Sequence, residues 1–300
     1  MYAKLVNRYL WLINTLKDNR LTFREISDKW EKSIINDKKE RLPERTFRRH
    51  REAISTDWKL DIDFHKTDNT YGIANIETLH SNEQLEWMLS SFSVMNTLKE
   101  GSDMEDWILF ERIPKGADYL VKIVDAIKTK QEISFVYNKF GSESGKFVEG
   151  APYCLKINKQ RWYVLLRNKE NQFRTYALDR ISDISISDVA FSIPEDFSAK
   201  EYFKHSVGIY VYEDKPVETV RIEVSGIWVN LLRTLPLHHS QQETVLNNDT
   251  SVFEYRIRTD VEFISELLKM GESVKVLEPH TLVEDMKEKM RKMMKIYGMK

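Results

Sequence analysis

Two arginine-rich stretches carry the residues of this chain whose types and spacing could do chemistry. One is Leu42-Pro43-Glu44-Arg45-Thr46-Phe47-Arg48-Arg49. The other is Arg161-Trp162-Tyr163-Val164-Leu165 followed by Arg174-Thr175-Tyr176-Ala177-Leu178-Asp179-Arg180-Ile181. A guanidinium donates two parallel hydrogen bonds to a phosphate, and a tyrosine ring can stack on a base for about 1–3 kcal/mol. The chemistry in prospect is recognition of a polyanion. In the second stretch the same residues also read as a barrel core with a solvated cationic rim, because aromatics on strands usually pack inside.

Signals for catalysis are weak by comparison. His238-His239 lacks a Cys or a spaced third ligand for a metal, and Asp61-x-Asp63 is an ordinary pair of carboxylates on a strand. Cys154 has no adjacent His or helix start to activate it. The chain has neither a phosphate-binding glycine loop nor a Gly-x-Ser-x-Gly elbow, and only 10 glycines in 300 residues. The expectation is no enzyme, no metal and no cofactor.

The elements that must position these cations follow from hydrophobic periodicity. Tyr2, Leu5, Val6, Tyr9, Leu10, Ile13 and Leu16 form an amphipathic stripe over 2–18. Thr22-x-x-Glu25 reads as a capping box opening a second helix, with Ile26 and Trp30 facing inward. Pro43 suits the first turn of a third helix over about 43–54. At roughly 100° per residue, with Arg45 at zero, Arg49 falls near 40° and Arg48 near 300°, while Phe47 and Ile54 fall near 200° and 180°. A recognition helix needs that division: Phe47 and Ile54 anchor it, and Arg45, Arg48 and Arg49 meet phosphates and guanine edges. A structural helix with a solvated basic face would look similar. The alternation from Trp58 to Phe64, the polar turn His65–Thr70 and the return Tyr71-Gly72-Ile73 predict a hairpin after the three helices, the arrangement of a winged helix.

Further along, Ser81 or Asn82 caps a helix with a stripe of Leu85, Met88, Leu89, Phe92, Met95 and Leu98, broken by Gly101-Ser102-Asp103. Leu120, Ile123, Val124 and Ile127 mark another helix, and strands follow at 132–138, 147–157, 161–168, 173–179 and 181–188, with a loop at Gly141–Gly145. From 217 on, the order strand, helix, two strands, helix, strand, helix suggests a ferredoxin-like α+β unit. Its last helix carries Met286, Met290, Met293 and Met294, a stripe suited to packing or a dimer contact.

Composition bounds the rest. A chain of 300 residues with 41% hydrophobic and 31% charged residues reads as a soluble protein of two or three domains. Its apolar runs fall far short of the ~20 residues needed to span a membrane, and no secretory leader opens it, so a cytoplasmic protein is expected. The net charge of -1 conceals two basic regions. Residues 1–75 hold 16 Lys/Arg against 12 Asp/Glu, seven of those cations within 38–51, and residues 128–180 hold 11 against five. Two separate basic patches point to two polyanion contacts, although either alone would pass as a solvated face.

The blocks Pro152-Tyr153-Cys154-Leu155, Arg161–Leu165 and Arg174–Ile181, in that order, resemble the WYL domain, a small Sm-like β-barrel of bacterial transcriptional regulators. Here the third letter of the triplet is Val164, with Leu165 next. Leu42–Arg49 is similar to the start of the recognition helix in the winged-helix domains that precede WYL domains, where an Arg-Thr-x-x-Arg pattern is common. Thr46 thereby joins Arg45, Arg48 and Arg49 as a DNA-binding candidate. Gly271–Pro279 resembles the end of the extension that often follows WYL domains.

The resemblance implies a basic groove for a nucleic-acid or nucleotide effector, at the matching positions Tyr153, Arg161, Tyr163, Arg174, Tyr176 and Arg180. Trp162 would be a core anchor, and Asp179 would orient Arg180. The expected fold is α+β multidomain: a winged helix-turn-helix over 1–75, a helical linker over 76–127, the Sm-like barrel over 128–190 and a ferredoxin-like extension over 191–300 that could dimerise. The expected function is a homodimeric, ligand-responsive regulator that binds double-stranded operator DNA and no membrane. The alternative is a non-regulatory nucleic-acid-binding accessory module.

Overall fold

The computed structural model describes residues 2–100, 116–142 and 144–299. They form two compact units that divide at residues 111 and 112.

The first unit runs α1 (Tyr2–Leu16), α2 (Phe23–Lys32), α3 (Glu44–Trp58), β1 (Ile62–His65), β2 (Thr70–Ile73), α4 (Ile76–His80) and α5 (Glu83–Glu100). The apolar stripes meet in one core that includes Ile13, Leu16, Ile26, Trp30, Phe47, Ile54 and Leu60. The capping box forms: Glu25 N–H donates to Thr22 Oγ1 at 3.3 Å, and Thr22 N–H donates to Glu25 Oε2 at 2.8 Å. Asn36 Nδ2 donates to the carbonyls of Trp30 and Glu40, at 3.0 and 2.8 Å, which fixes the charged connection ahead of α3. The third helix extends past its expected end. Trp58 is its last residue and Lys59 caps it in the left-handed region at φ 58°, so the strand expected from Trp58 begins only at Ile62. β1 and β2 pair antiparallel from Ile62↔Ile73 to His65↔Thr70. Leu21 and Tyr71 exchange backbone hydrogen bonds of 3.0 and 2.7 Å on the other side of β2. Asn82, rather than Ser81, caps α5, its Oδ1 accepting from Leu85 N–H at 3.1 Å. Leu85, Leu89 and Phe92 join the core of this unit. The side chains of Tyr2 and Leu98, and the break at Gly101-Ser102-Asp103, lie outside the described residues.

His50, on α3, is 3% exposed, and both ring nitrogens are buried without a hydrogen-bond partner. Burial first, then the charges of Arg49 and Arg8, lowers its pKa to about 4. The unfolded chain takes up this proton near pH 6.5 and the folded chain only near 4. Stability from this group is therefore complete above about pH 6.5 and lost as the pH falls towards 4. We expect the first unit to lose about 2 kcal/mol between pH 7.5 and 5 through this residue. Urea unfolding at the two pH values, with His50→Leu as the reference, checks it: the variant should show a smaller pH difference.

The second unit begins with a 3₁₀ turn (Ala117–Tyr119), α6 (Leu120–Thr129) and five strands: β3 (Gln131–Tyr137), β4 (Lys146–Asn158), β5 (Arg161–Arg167), β6 (Phe173–Ala177) and β7 (Ile181–Ala190). Their order is β6-β5-β4-β3-β7, and every pair is antiparallel. β4 serves two partners, its first part pairing with β3 and its second with β5 across a bulge at Pro152–Cys154. Gly150 sits where it bends: a Cβ there would lie 2.4 Å from the Arg167 carbonyl oxygen. The expected strands form, but they do not close into a barrel. The chain makes a 3₁₀ turn at Leu178–Arg180 and then takes the free edge of β3, leaving β6 and β7 at opposite edges of an open sheet. One face packs Val164, Leu166, Phe135 and Ile133 against Ile123 of α6. The other packs Ala151, Tyr153 and Leu165 against Phe203 of α7 (Ala199–Phe203), with Phe173, Phe191 and Phe197 beside them.

The remainder follows the order expected from periodicity: β8 (Glu218–Ser225), α8 (Ile227–Thr234), β9 (Gln242–Val245), β10 (Thr250–Ile257), α9 (Val261–Lys269), β11 (Val274–Glu278) and α10 (His280–Ile296). The sheet order is β11-β8-β10-β9, antiparallel throughout. Val220, Ile222, Val224, Phe253 and Tyr255 face Leu232, Phe263, Leu267 and Leu282. Of the methionine stripe only Met286 is buried; Met290, Met293 and Met294 are exposed. No helix among the described residues is long and apolar enough to cross a membrane.

Candidate nucleic-acid and ligand surfaces

The register of α3 separates its two faces as the helical angles require. Phe47, His50 and Ile54 are buried, whereas Arg45, Arg48 and Arg49 are exposed and Thr46 is half-buried. Arg45, Thr46, Arg48, Arg49 and Glu52 line a shallow depression of about 270 Å³. Several cations of the 38–51 run, Arg48 of the outward three among them, are engaged. Arg41 meets Asp28 and Glu31 at 3.3 and 3.2 Å, Lys39 donates to the Ser33 carbonyl at 3.0 Å, and Arg48 lies 3.8 Å from Glu52. Among the described residues, Arg45 and Arg49 make no ion pair. Arg51 has a role that the sequence reading missed. Its Nε donates to the Ile62 carbonyl at 2.7 Å, and its guanidinium lies 4.9 Å from the centre of the Tyr71 ring, tying α3 to the hairpin. The signal was available: Arg51 falls at roughly 240° on the same wheel, beside Phe47 rather than Arg45.

The six ligand candidates do not share one surface. Tyr163 pairs with Ala177, but Val164 pairs with Tyr176 and Leu166 with Arg174. Adjacent residues on a strand face opposite ways, so Arg161 and Tyr163 lie on the other face from Arg174 and Tyr176. Arg161 Nε is 3.6 Å from Asp179, so this acid answers Arg161 and not Arg180 as expected. Arg180 instead donates to the Asn138 carbonyl at 2.9 Å and covers the rings of Phe140 and Tyr137, at 3.8 and 4.7 Å. Tyr176 packs edge-on against Tyr137, with ring centres 4.9 Å apart. Tyr153 is buried inside the second face: Arg167 donates to its hydroxyl at 3.0 Å, and Phe173 and Phe197 meet its ring at 4.9 and 4.8 Å. Trp162 is part of the first-face core, partly buried.

Of the six, Arg174 lines a cavity of about 590 Å³ at the edge strand β6, together with Thr175, Tyr202, Tyr210, Tyr212 and Glu213. Thr175 Oγ1 donates to the Ile209 carbonyl at 3.3 Å, holding the irregular segment against the strand. Arg174 is exposed, and one of its nitrogens donates to Gln172 Oε1 at 2.6 Å. Burial pushes the Tyr202 phenol up to about 12, so it stays neutral. A guanidinium beside phenols can hold a phosphate and stack a base, here next to the carboxylates of Glu213 and Asp214, which line the same cavity. Tyr202, Tyr210 and Tyr212 were not singled out from the sequence. Tyr210-Val211-Tyr212 alternates as an exposed edge would, but nothing local says which strand it adjoins.

Cys154 and His238, also weighed for chemistry, are both shifted by burial. Burial raises the Cys154 thiol to about 11. His238, lowered to about 4 by burial, donates from Nε2 to the Lys204 carbonyl at 2.8 Å, and its Nδ1 accepts from Ser240 Oγ at 2.8 Å. Among the described residues no group of three His, Cys, Asp or Glu could hold a metal ion.

Residues 118–186 match the WYL domain, and residues 216–294 match the WCX domain. Among solved structures the chain is similar to Proteasome accessory factor B/C (PafBC) of Arthrobacter aurescens, at 17% identity over 95% of this chain and 46% of that one, with a TM-score of 0.35. It is similar also to a CRISPR Cas-related protein, at 16% identity over 99% of this chain and 85% of that one, with a TM-score of 0.41. The chain thus spans about half the length of the PafBC chain. No curated protein matches it.

Proposed function

For a WYL-domain protein with a WCX domain behind it, we propose the role of a homodimeric, ligand-responsive DNA-binding transcriptional regulator. The observation that carries this reading is α3, whose buried Phe47 and Ile54 hold Arg45, Arg48 and Arg49 outward on a helix followed by a hairpin. We read this unit as a winged helix-turn-helix whose α3 enters the major groove of operator DNA. The C-terminal sheet, with its order β11-β8-β10-β9, reads as a ferredoxin-like unit. The effector is a nucleic acid or nucleotide taken up at Arg174, Tyr202, Tyr210 and Tyr212. Regulation follows if the effector binds the DNA-competent and DNA-incompetent states with different affinity, and residues 76–127, between the two basic regions, are the coupling element.

Separate sites predict separable losses. Arg49→Ala should weaken operator binding about tenfold, within the range for one recognition arginine, and leave the effector bound as before. Arg174→Ala should leave operator binding intact and abolish its response to effector. Equal loss of operator binding in both variants would contradict the reading and favour an accessory module that holds one strand on both basic patches.

A further inference from the structure

Glu262, in the first turn of α9, reaches across to the segment that lines the Arg174 cavity. Its Oε2 accepts the backbone N–H of Ile209 at 2.7 Å and of Tyr210 at 3.1 Å. Its Oε1 accepts from Asn158 Nδ2 on β4 at 3.5 Å. Gly208 makes the approach possible, because a Cβ there would stand 2.1–2.2 Å from the carboxyl carbon and both oxygens. Consecutive N–H groups converging on one oxygen form a concave anion seat. Lys156, half-buried on β4, and Tyr163 on β5 are near enough to feel the charge of this carboxylate. One turn further along α9, Glu266 pairs with Lys159 at the tip of the β4–β5 hairpin and with Lys269. Two acids of the C-terminal domain therefore hold it to the WYL sheet. Tyr210 belongs to both places: its N–H forms the seat, and the residue is part of the lining of the Arg174 cavity.

We propose that the Ile209–Tyr210 seat is a phosphate site filled by Glu262 as an internal stand-in, and that a phosphate of the effector displaces Glu262 and removes one of the two acidic ties between α9 and the WYL sheet, leaving the Glu266–Lys159 pair. The proposal rests on the reading of the Arg174 cavity as the effector site. Phosphate and carboxylate compete for the same two donors. The tethered carboxylate has the advantage of a high effective concentration, so a free phosphate needs help, and the cavity supplies it through Arg174 and the tyrosine rings. Ligand occupancy would thereby be converted into a change of domain contact.

The test is hydrogen exchange at the Ile209 and Tyr210 amides of the full chain, in wild type, Glu262→Ala, the isosteric Glu262→Gln and Arg174→Ala. The probes are inorganic phosphate and a short 5′-phosphorylated single-stranded oligonucleotide. In wild type both amides should be protected. In Glu262→Ala they should exchange at least about tenfold faster, as expected for loss of a charge-assisted hydrogen bond, and inorganic phosphate should restore protection. The oligonucleotide should bind Glu262→Ala and Glu262→Gln about tenfold more tightly than wild type, and Arg174→Ala should lose it. Amides that exchange no faster in Glu262→Ala, or that phosphate fails to protect, would overturn the seat and leave Glu262 a structural contact. Phosphate protection with no oligonucleotide binding in any form would uphold the seat and sink the effector reading alone.

Discussion

Replacing Arg45, Arg48 and Arg49 together with alanine is expected to lower operator affinity by about a thousandfold at physiological salt while the protein stays folded. Each recognition arginine is worth about 1–3 kcal/mol, and 1.4 kcal/mol is a factor of ten. The salt dependence should also flatten, by about 0.9 in the log–log slope for each of the three that meets a phosphate. The fold should survive because the three guanidiniums are exposed, and the pairing of Arg48 with Glu52, both on the surface, contributes little. Binding over a salt series, with thermal unfolding as the control, checks both halves. Unchanged affinity would remove α3 from the interface. A collapse in stability would make it a structural helix.

The second large effect concerns a residue whose resemblance-based role and structural position diverge. Tyr153→Ala should destabilise the second unit by about 3–5 kcal/mol, the range for truncating a buried aromatic. The ring packs between Phe173, Phe191 and Phe197, and its hydroxyl both receives Arg167 and donates to the Ser192 carbonyl at 3.4 Å. Tyr153→Phe keeps the ring and loses only those hydrogen bonds, at a cost of about 1 kcal/mol, and should retain the effector response. Chemical unfolding of the two variants distinguishes packing from contact. Full stability in Tyr153→Ala with effector binding lost would return Tyr153 to the ligand surface.

The basic face of α3 was legible in the sequence because it depends on nothing beyond local geometry. Pro43, the helical angle and two apolar anchors place three arginines outward, whatever the unit packs against. The same wheel puts Arg51 on the inner edge, at roughly 240°. Strand existence was legible for the same reason. Strand ends were less so: Trp58 alternates with Leu60 and Ile62, but Lys59 turns left-handed, and that choice is made by the cap of α3. What periodicity could not supply was pairing. Whether Arg161 and Arg174 share a face depends on the register of β5 with β6, which pairs Val164 with Tyr176. Closure of the sheet depends on where β7 goes after Leu178–Arg180, and it goes to β3. The cavity at Arg174 and the seat of Glu262 are assembled by residues 208–214, a segment whose short alternation does not name its neighbours, which lie 34 and 53 positions away along the chain.

Gated recognition of DNA is tested by fluorescence-anisotropy binding of the purified protein to its own upstream DNA. The titration is run at two salt concentrations, with and without a short single-stranded oligonucleotide. A gated regulator should show tight, sequence-preferring binding that persists at the higher salt and shifts when the oligonucleotide is present. Weak binding to any nucleic acid, abolished by salt and merely competed by the oligonucleotide, would contradict gated recognition.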